Sequence, residues 1–217
     1  MHRSPARWIG ALALAAMAAG AACSKGAPAR AAAVGRGAAP EALRGTELDP
    51  SWPKPDFTLT DTEGRPFDFR TRTDGFVTLL FFGYTHCPDV CPVHMANIAA
   101  VLADLDYADR ARIRVVFVTT DPERDTPERL RAWLDRFDPS FVGLRGSEEA
   151  VNAVQAELHL PAPVRQPARP GPLPGAYAVG HAAQVIVFTA DGRARVVYPF
   201  GTRQSDWAHD LPRLVAR

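Results

Sequence analysis

Two largely apolar runs constrain the fold of this chain more than any other feature. They lie at 76–83 (FVTLLFFG) and 112–119 (RIRVVFVT). A strand that is covered on both faces has such a continuous run, whereas a half-exposed strand alternates between apolar and polar residues. Between the two runs, residues 93–105 repeat their apolar positions every three or four residues, which predicts a helix. The order strand, helix, strand predicts a parallel pair of strands joined by a right-handed crossover.

The sequence on either side predicts further elements of the same domain. Residues 57–69 alternate around a turn at 61–64, which predicts an N-terminal hairpin. Helices are predicted at 126–137, 147–158 and 204–215, a short strand at 141–144, and a C-terminal antiparallel hairpin from 185–188 and 195–198. We therefore expect an α/β fold of the thioredoxin-like type, a mixed sheet flanked by helices with the C-terminal hairpin at its edge.

Two segments are expected to lie outside regular structure. Residues 161–175 contain six prolines, which indicates a loop or an insertion. Residues 24–50 are rich in Ala, Gly, Pro and Arg and have no apolar periodicity, so they are predicted to form a flexible tether. The folded domain is accordingly expected to occupy residues 51–217.

The first 23 residues have the pattern of an export signal. A basic start is followed by an apolar or small-residue run at 8–22, which is shorter than the roughly 20 residues of a membrane-spanning helix. The end of the run, Gly-Ala-Ala-Cys at 20–23, resembles a bacterial lipoprotein box and predicts that Cys23 is lipidated. An ordinary cleaved signal and an uncleaved anchor are the alternatives. All three predict a domain on the periplasmic, extracytoplasmic side of a membrane, and the first predicts a membrane-anchored lipoprotein.

The distribution of charge argues against a nucleic-acid partner. The chain has a net charge of +1, but residues 1–45 hold six basic groups and one acidic group. From Thr46 onward, 19 basic groups face 23 acidic ones, so the body of the protein is mildly acidic. A protein that neutralises phosphates needs a basic surface, so no nucleic acid is expected among the partners.

The chemistry of the chain is expected at the carboxyl ends of its two buried strands, where ligand sites of such sheets lie. Cys87 and Cys91 stand in the loop after the first strand, four positions apart. If Cys91 begins the following helix, the helix dipole favours its thiolate. The pair could close a disulfide, exchange disulfides, or hold a soft metal such as Cu(I) or Zn. The spacing by itself does not choose among these roles.

Histidine is the residue type that would complete a metal site with two cysteines. His86 adjoins Cys87, and His181 stands just before the 185–188 strand, so both are candidates. His94 and Met95 follow Cys91 and are also soft donors. For these two we expect ordinary structural roles, with Met95 in the core and His94 in solvent.

Longer motifs resemble those of the SCO/SenC family. These are FFGYTHCPDVCP at 81–92, VVFVTTDPERDTP at 115–127, the Gly180-His181 pair before VIVFTADGR, and YPFGT at 198–202. The resemblance implies a membrane-tethered, thioredoxin-like protein that binds copper, as Cu(I) or Cu(II), through Cys87, Cys91 and His181. It also implies delivery of copper to the binuclear copper site of cytochrome c oxidase, or reduction of that site's cysteines.

The resemblance extends to supporting residues and partners. Asp121 matches an acidic residue of the family's second loop and is expected to support the metal ligands. Asp89 and His86 are expected to do the same because they lie beside the cysteines in the sequence. The alternatives are a turn-forming role for Asp89 and a turn cap for Asp121. The implied partners are the copper-bearing subunit of cytochrome c oxidase, other copper chaperones or thiol reductants, and the membrane through the N-terminal lipid. The chain departs from the family in having Gly180-His181-Ala182 where Asp-His-Ser is usual, which removes a carboxylate that could orient the imidazole.

Other roles remain open for the same residues. A thiol-disulfide oxidoreductase, or a peroxidase, would use Cys87 and Cys91 as a redox pair and would not need His181. A redox or copper sensor without a delivery role is a third alternative. The dependence of metal binding on His181 is the property that separates these hypotheses.

Overall fold

An eight-stranded mixed sheet organises the structure, a computed structural model that describes residues 42–167 and 177–217. The strands are β1 Thr46–Pro53, β2 Thr58–Asp61, β3 Pro66–Asp68, β4 Val77–Gly83, β5 Ile113–Thr119, β6 Val142–Arg145, β7 Val164–Pro167, β8 Tyr177–Gly180, β9 Val185–Phe188 and β10 Arg193–Tyr198. The helices are α1 Phe69–Arg72, α2 Val90–Asp104, α3 Tyr107–Ala111, α4 Pro127–Leu134, α5 Glu148–Glu157 and α6 Gln204–Val215. None of these helices has the length and apolar character of a membrane span.

The two apolar runs form the centre of the sheet. The strand order is β1-β10-β9-β4-β5-β6-β2-β3, and β4, β5 and β6 are parallel. All seven residues of β4 are buried, as expected for a strand with helices on both faces. The predicted thioredoxin-like α/β fold is confirmed, and so are the N-terminal β2–β3 hairpin and the C-terminal β9–β10 hairpin.

The prediction that the C-terminal hairpin lies at the edge of the sheet is wrong. β9 pairs with β4, and β10 is covered by β1, which pairs with it antiparallel through Thr46 and Val197. The side chains of β1 are exposed or half-buried and two are prolines, so its sequence has no apolar pattern to indicate a strand. An edge strand needs only backbone partners, and those do not leave a hydropathy signal.

The start of β1 also corrects the boundary of the predicted tether. Residues 46–50 belong to this strand, so the folded body begins before residue 51. Gly45 lies so close to β10 that a Cβ there would stand 2.4 Å from Val196 Cγ1. The predicted signal segment, Cys23 and the tether as far as residue 41 lie outside the described residues.

The proline-rich segment contains a strand that was not predicted. Residues 164–167 form β7, which pairs with β8 in a separate two-stranded sheet, and Pro167 stands at its end, where a missing amide is tolerated. Residues 168–176 of this segment lie outside the described residues. The strand β8 ends at Gly180, so this small sheet leads directly to His181.

The helix termini follow local capping rules. Thr126 accepts a hydrogen bond from the Arg129 amide, and Pro127 occupies the first position of α4, as predicted. Ser147 caps α5 in the same way. These caps set where each helix begins after the carboxyl end of a strand, and so they fix the lengths of the loops at that edge.

Lys54 is a buried cation in the described structure, and it gives stability an unusual pH dependence. Its Nζ donates to the Thr73 carbonyl at 2.7 Å and lies beneath Phe69 and Phe188. The side chain is 3% exposed. Burial lowers the pKa of Lys54 from 10.5 to about 8, although the charges of nearby aspartates oppose this shift.

We expect the free energy of unfolding to rise by about 3 kcal/mol between pH 8 and 10.5. In this range the unfolded chain still binds the Lys54 proton and the folded chain does not, so the fold gains stability as the pH rises. Substitution Lys54→Met should abolish this term and leave the protein at least as stable as wild type at pH 7. Urea unfolding of both proteins across this range measures the difference, and parallel curves would contradict the assignment.

Candidate metal centre

Two loops meet at the carboxyl edge of the parallel strands. β4 ends at Gly83 and β5 at Thr119, and these residues are paired neighbours in the sheet. The Thr120 amide donates to the Gly83 carbonyl at 2.7 Å, which holds the starts of the two loops together. The loop after β4 carries both cysteines, so the parallel pairing places them beside the loop after β5.

Cys87 and Cys91 lie at the N-terminus of α2. Cys91 is in the first turn of the helix, and its amide donates to Cys87 Sγ at 3.4 Å. Both are free cysteines, with Cys87 9% exposed and Cys91 fully buried. The backbone amides at this helix end stabilise negative charge on a sulfur, as does the helix dipole.

The two thiols have opposite proton affinities. The pKa of Cys87 is held far below its ordinary value, chiefly because the Cys91 thiol donates to it, with help from the amides of Cys91 and Asp89. Burial opposes this shift but is outweighed. Burial raises the pKa of Cys91, and so do its hydrogen bond to Cys87 and the negative charge there. Cys87 therefore favours the thiolate and Cys91 the thiol. The expectation that the helix dipole favours a thiolate at Cys91 is wrong, because burial of that sulfur outweighs the dipole.

His181 completes the group from 90 positions further along the chain. Its Nε2 lies 3.4 Å from Cys91 Sγ, and its Nδ1 lies 2.9 Å from the Ala182 carbonyl. A carbonyl accepts only, so Nδ1 carries the proton and Nε2 faces the sulfurs. The ring packs edge-on against Phe81 and Tyr84, which restrict its orientation.

The three donor atoms fit a single soft metal ion. Cys87 Sγ, Cys91 Sγ and a ring nitrogen of His181 all lie within 4.8 Å of one another. Metal bonds of about 2.0 Å to nitrogen and 2.3 Å to sulfur require donor atoms roughly 3.4 to 4 Å apart, so small side-chain adjustments bring all three onto one ion. Two thiolates and an imidazole favour Cu(I) or Zn over hard cations. The structure thus brings together the three residues predicted as ligands.

Gly83 provides the space for Cys91. A Cβ at position 83 would stand 2.7 Å from Cys91 Sγ and 2.8 Å from Phe81 Cε1. Neither neighbour can move freely, because both are fully buried. Glycine is therefore the residue that allows the end of β4 to approach the sulfur pair.

We expect Gly83→Ala to destabilise the fold by about 1–3 kcal/mol and to displace Cys91 from His181. The control is Gly180→Ala, next to His181, where a Cβ would stand 3.1 Å from Nε2 of the flexible Gln166 side chain and at an ordinary contact distance of 3.6 Å from the Val164 carbonyl oxygen. Thermal unfolding and metal titration of both variants measure the two effects. Equal behaviour of the two variants would show that the space at Gly83 is not critical.

The acidic residue predicted to support the ligands, Asp121, is buried but committed to other partners. It accepts a hydrogen bond from the Tyr177 hydroxyl at 2.7 Å and pairs with Arg124. Arg124 also stacks on the Tyr177 ring, at 3.5 Å from its centroid, and donates to the Tyr177 carbonyl. Asp121 thus braces the first residue of β8, the strand that leads to His181.

A second carboxylate, Asp125, was not singled out from the sequence. It is fully buried and accepts from the Thr85 amide at 2.9 Å, from the Thr85 hydroxyl at 2.6 Å and from Thr119 Oγ1 at 2.6 Å. These bonds hold the start of the cysteine loop against the end of β5. The only feature of the local sequence that could have pointed to Asp125 was its position one residue before Thr126, the N-cap of α4.

His86 and Asp89 lie at the periphery of the site. His86 is exposed, with its Nδ1 3.6 Å from Asp125 Oδ1 and Arg129 2.9 Å from its Nε2. The exposed Asp89 is the N-cap residue of α2, and it is its backbone amide, rather than its carboxylate, that contacts the site, by donating a hydrogen bond to Cys87. His86, Asp121 and Asp125 lie together, but Arg124 and Arg129 supply the positive charge there, which disfavours a cation.

The expectations for His94 and Met95 had different outcomes. Met95 is fully buried among core residues, as expected. His94 is 1% exposed and packs against Phe81, so the expectation of a solvated ring was wrong. The reason is that α2 packs on the sheet through the helix face that carries Cys91, Met95 and Ile98. His94 borders this face of the helix.

Fold and site together define a class, a thioredoxin-like domain with two cysteines and a distant histidine gathered at its loop edge. Comparison with known proteins gives the family. The SCO1/SenC family model matches residues 46–216, and the chain belongs to this family. The expectation drawn from the sequence motifs is confirmed.

Individual relatives show the same family. A putative copper-binding protein of Stutzerimonas stutzeri is 32% identical over 142 residues, which are 65% of this chain and 66% of that protein. Protein SCO2 of Saccharomyces cerevisiae mitochondria is 38% identical over 98 residues, which are 45% of this chain and 32% of that protein. The chain thus spans a third to two thirds of the length of these curated relatives.

Solved structures are similar over most of the domain. Copper-bound ScoI of Bradyrhizobium japonicum has a TM-score of 0.64 and 32% identity, over 74% of this chain and 98% of that one. Apo Sco1 of Thermus thermophilus has a TM-score of 0.69 and 34% identity, over 80% of this chain and 97% of that one.

Proposed function

We propose that this protein binds one copper ion through Cys87, Cys91 and His181 and hands it on during the assembly of cytochrome c oxidase. The observation that carries the proposal is the approach of three soft donor atoms to within 4.8 Å of one another. The relatives support copper as the metal, since one is named as copper-binding and another was solved with copper bound.

The role in oxidase assembly rests on family membership. The Sco family is described as a family of cytochrome c oxidase assembly proteins. We propose that the acceptor is the copper-bearing subunit of the oxidase, which would receive copper or have its cysteines kept reduced. Lipidation at Cys23 and the tether after it would hold the domain near this membrane-embedded partner, on the extracytoplasmic side.

Copper binding at this site is coupled to proton release. A metal-bound cysteine must be a thiolate, and Cys87 already favours that form whereas Cys91 retains its proton. Loading Cu(I) at neutral pH therefore releases one proton, from Cys91, and oxidation of the pair to a disulfide would prevent loading.

The test is a titration of the reduced protein with Cu(I) in competition with a chromophoric chelator. We expect one copper per chain for wild type, and for His181→Ala an affinity lower by about 10- to 1,000-fold, because two thiolates remain. The control is His159→Asn, which removes an exposed imidazole that contacts Trp52 on β1. Equal affinity of wild type and His181→Ala would refute the three-ligand site.

A second function is favoured by the asymmetry of the thiols. A thiolate at Cys87 beside a thiol at Cys91 is the arrangement of a disulfide-exchange pair. Cys87 would attack a partner disulfide, Cys91 would displace the partner from the mixed disulfide, and this chain would be oxidised as the partner is reduced. This function would be favoured if the wild-type protein retains no copper and if the His181→Ala variant exchanges disulfides as fast as wild type.

A further inference from the structure

We propose that His94 is a positioning residue for the metal centre, because its imidazole holds the loop that carries His181. His94 lies in α2, three residues after Cys91, so the two side chains are on neighbouring positions of one helix surface. The ring is 1% exposed, although a solvated ring was expected from the residue type. The inference deepens the proposed function and rests on it for the identity of the metal.

The contact that supports this role crosses from the cysteine helix to the histidine loop. His94 Nε2 lies 3.0 Å from the backbone carbonyl of Ala183, 89 positions away in sequence. Since the carbonyl can only accept, Nε2 carries the proton and donates it. The same nitrogen is therefore not available as a metal ligand, which distinguishes His94 from His181.

The carbonyl next to Ala183 orients the metal-facing ring. His181 Nδ1 donates to Ala182 at 2.9 Å, while His94 donates to Ala183, so two imidazoles hold consecutive carbonyls of one loop. Residues 181–184 are in neither helix nor strand, so this loop has no backbone hydrogen bonds of a sheet to hold it. The two imidazoles supply hydrogen bonds to its carbonyls instead. Release of Ala183 would free the peptide that fixes the orientation of His181.

Packing around the two rings adds to this restraint. Both histidines contact Phe81 of β4, with ring centroids 5.1 Å away for His94 and 5.8 Å away for His181. Phe200 lies against His94 from the other end of the chain, at 5.9 Å. Helix α2 thus supplies the Cys91 sulfur and also, through His94, the anchor that sets the distance from this sulfur to His181.

The test compares two variants in the full-length reduced protein. His94→Phe keeps an aromatic ring against Phe81 and removes the donor, whereas His94→Gln keeps a donor that can reach Ala183. We expect Cu(I) affinity to fall about 10- to 100-fold in the phenylalanine variant and to stay within about threefold of wild type in the glutamine variant. In a His181→Ala background, His94→Phe should cause no further loss.

A second measurement reads the position of His181 without copper. In metal-free protein labelled with ¹⁵N-histidine, the His181 Nδ1 proton should give a protected NMR signal in wild type and His94→Gln, and this signal should be lost by rapid exchange in His94→Phe. If wild type binds no copper, the proposed function fails, and this signal still decides the role of His94.

Three results would overturn the inference. The first is an unchanged affinity and NMR signal in a folded His94→Phe protein. The second is a loss of affinity on His94→Phe that is equally large in the wild-type and His181→Ala backgrounds. The third is a loss of both affinity and NMR signal in a folded His94→Gln protein. If His94→Phe does not fold, the glutamine variant decides, since retention of affinity and signal supports the role and their loss overturns it.

Discussion

Replacing Cys91 with serine is expected to lower the Cu(I) affinity of the reduced protein by more than about 1,000-fold. Serine preserves the size of the side chain, but its hydroxyl stays protonated and is a poor ligand for a soft ion. The buried position leaves no alternative thiol within reach among residues 42–167 and 177–217, where Cys87 is the one other cysteine. Cys87→Ser should cause a loss of the same order, since it removes the thiolate that is already formed.

A nearby sulfur provides the control for this prediction. Met95 lies on the same helix, one turn after Cys91, and is buried in the core. Met95→Leu removes a soft donor while preserving volume, so affinity should stay within about threefold of wild type. Competition titrations of the three variants measure the effect. Comparable losses in all three would mean that helix integrity, rather than the thiolates, controls binding.

Asp210→Ala is expected to lower the free energy of unfolding by about 3–5 kcal/mol. The fully buried carboxylate of Asp210 accepts from the amides of Arg44 at 2.8 Å and Gly45 at 3.0 Å, and from the Tyr198 hydroxyl at 2.7 Å. His209 Nδ1 lies 2.6 Å from its second oxygen. The substitution leaves these groups without their acceptor and detaches the entrance to β1 from α6.

The pH dependence of this loss gives a second readout. Burial alone would raise the pKa of Asp210, but hydrogen bonds from His209, Tyr198 and the two amides hold it below the ordinary 3.8. The folded state therefore favours the carboxylate, so its contribution is present above pH 3.8 and is lost as the pH falls further. Urea unfolding from pH 7 to pH 3 should show the wild-type and variant stabilities converging.

A surface carboxylate separates this effect from simple loss of charge. Asp135→Ala removes an exposed partner of Arg131, and such pairs contribute about 0–1 kcal/mol. A loss below 1 kcal/mol for Asp210→Ala as well would show that the β1 entrance is held by other contacts.

Local patterns determined much of this molecule. The apolar runs predicted β4 and β5 to within a residue, and the Thr-Pro pair predicted the start of α4. These features depend on neighbouring residues in the chain, whose preferences can be judged without knowing the fold. The short helices α1 and α3 and the strands β1, β7 and β8 were missed, because they depend on backbone pairing or caps rather than on an apolar pattern.

The sequence by itself determined the fold class, the family and the cysteine pair at the mouth of a helix, because each is carried by residues that are close together in the chain. Only the tertiary structure brought His181 to Cys91, joined β1 to β10 and turned His94 inward to the Ala183 carbonyl. These contacts join residues about 90 to 150 positions apart. They exist because the order of strands in the sheet gathers distant loops at one edge, and hydropathy does not record that order.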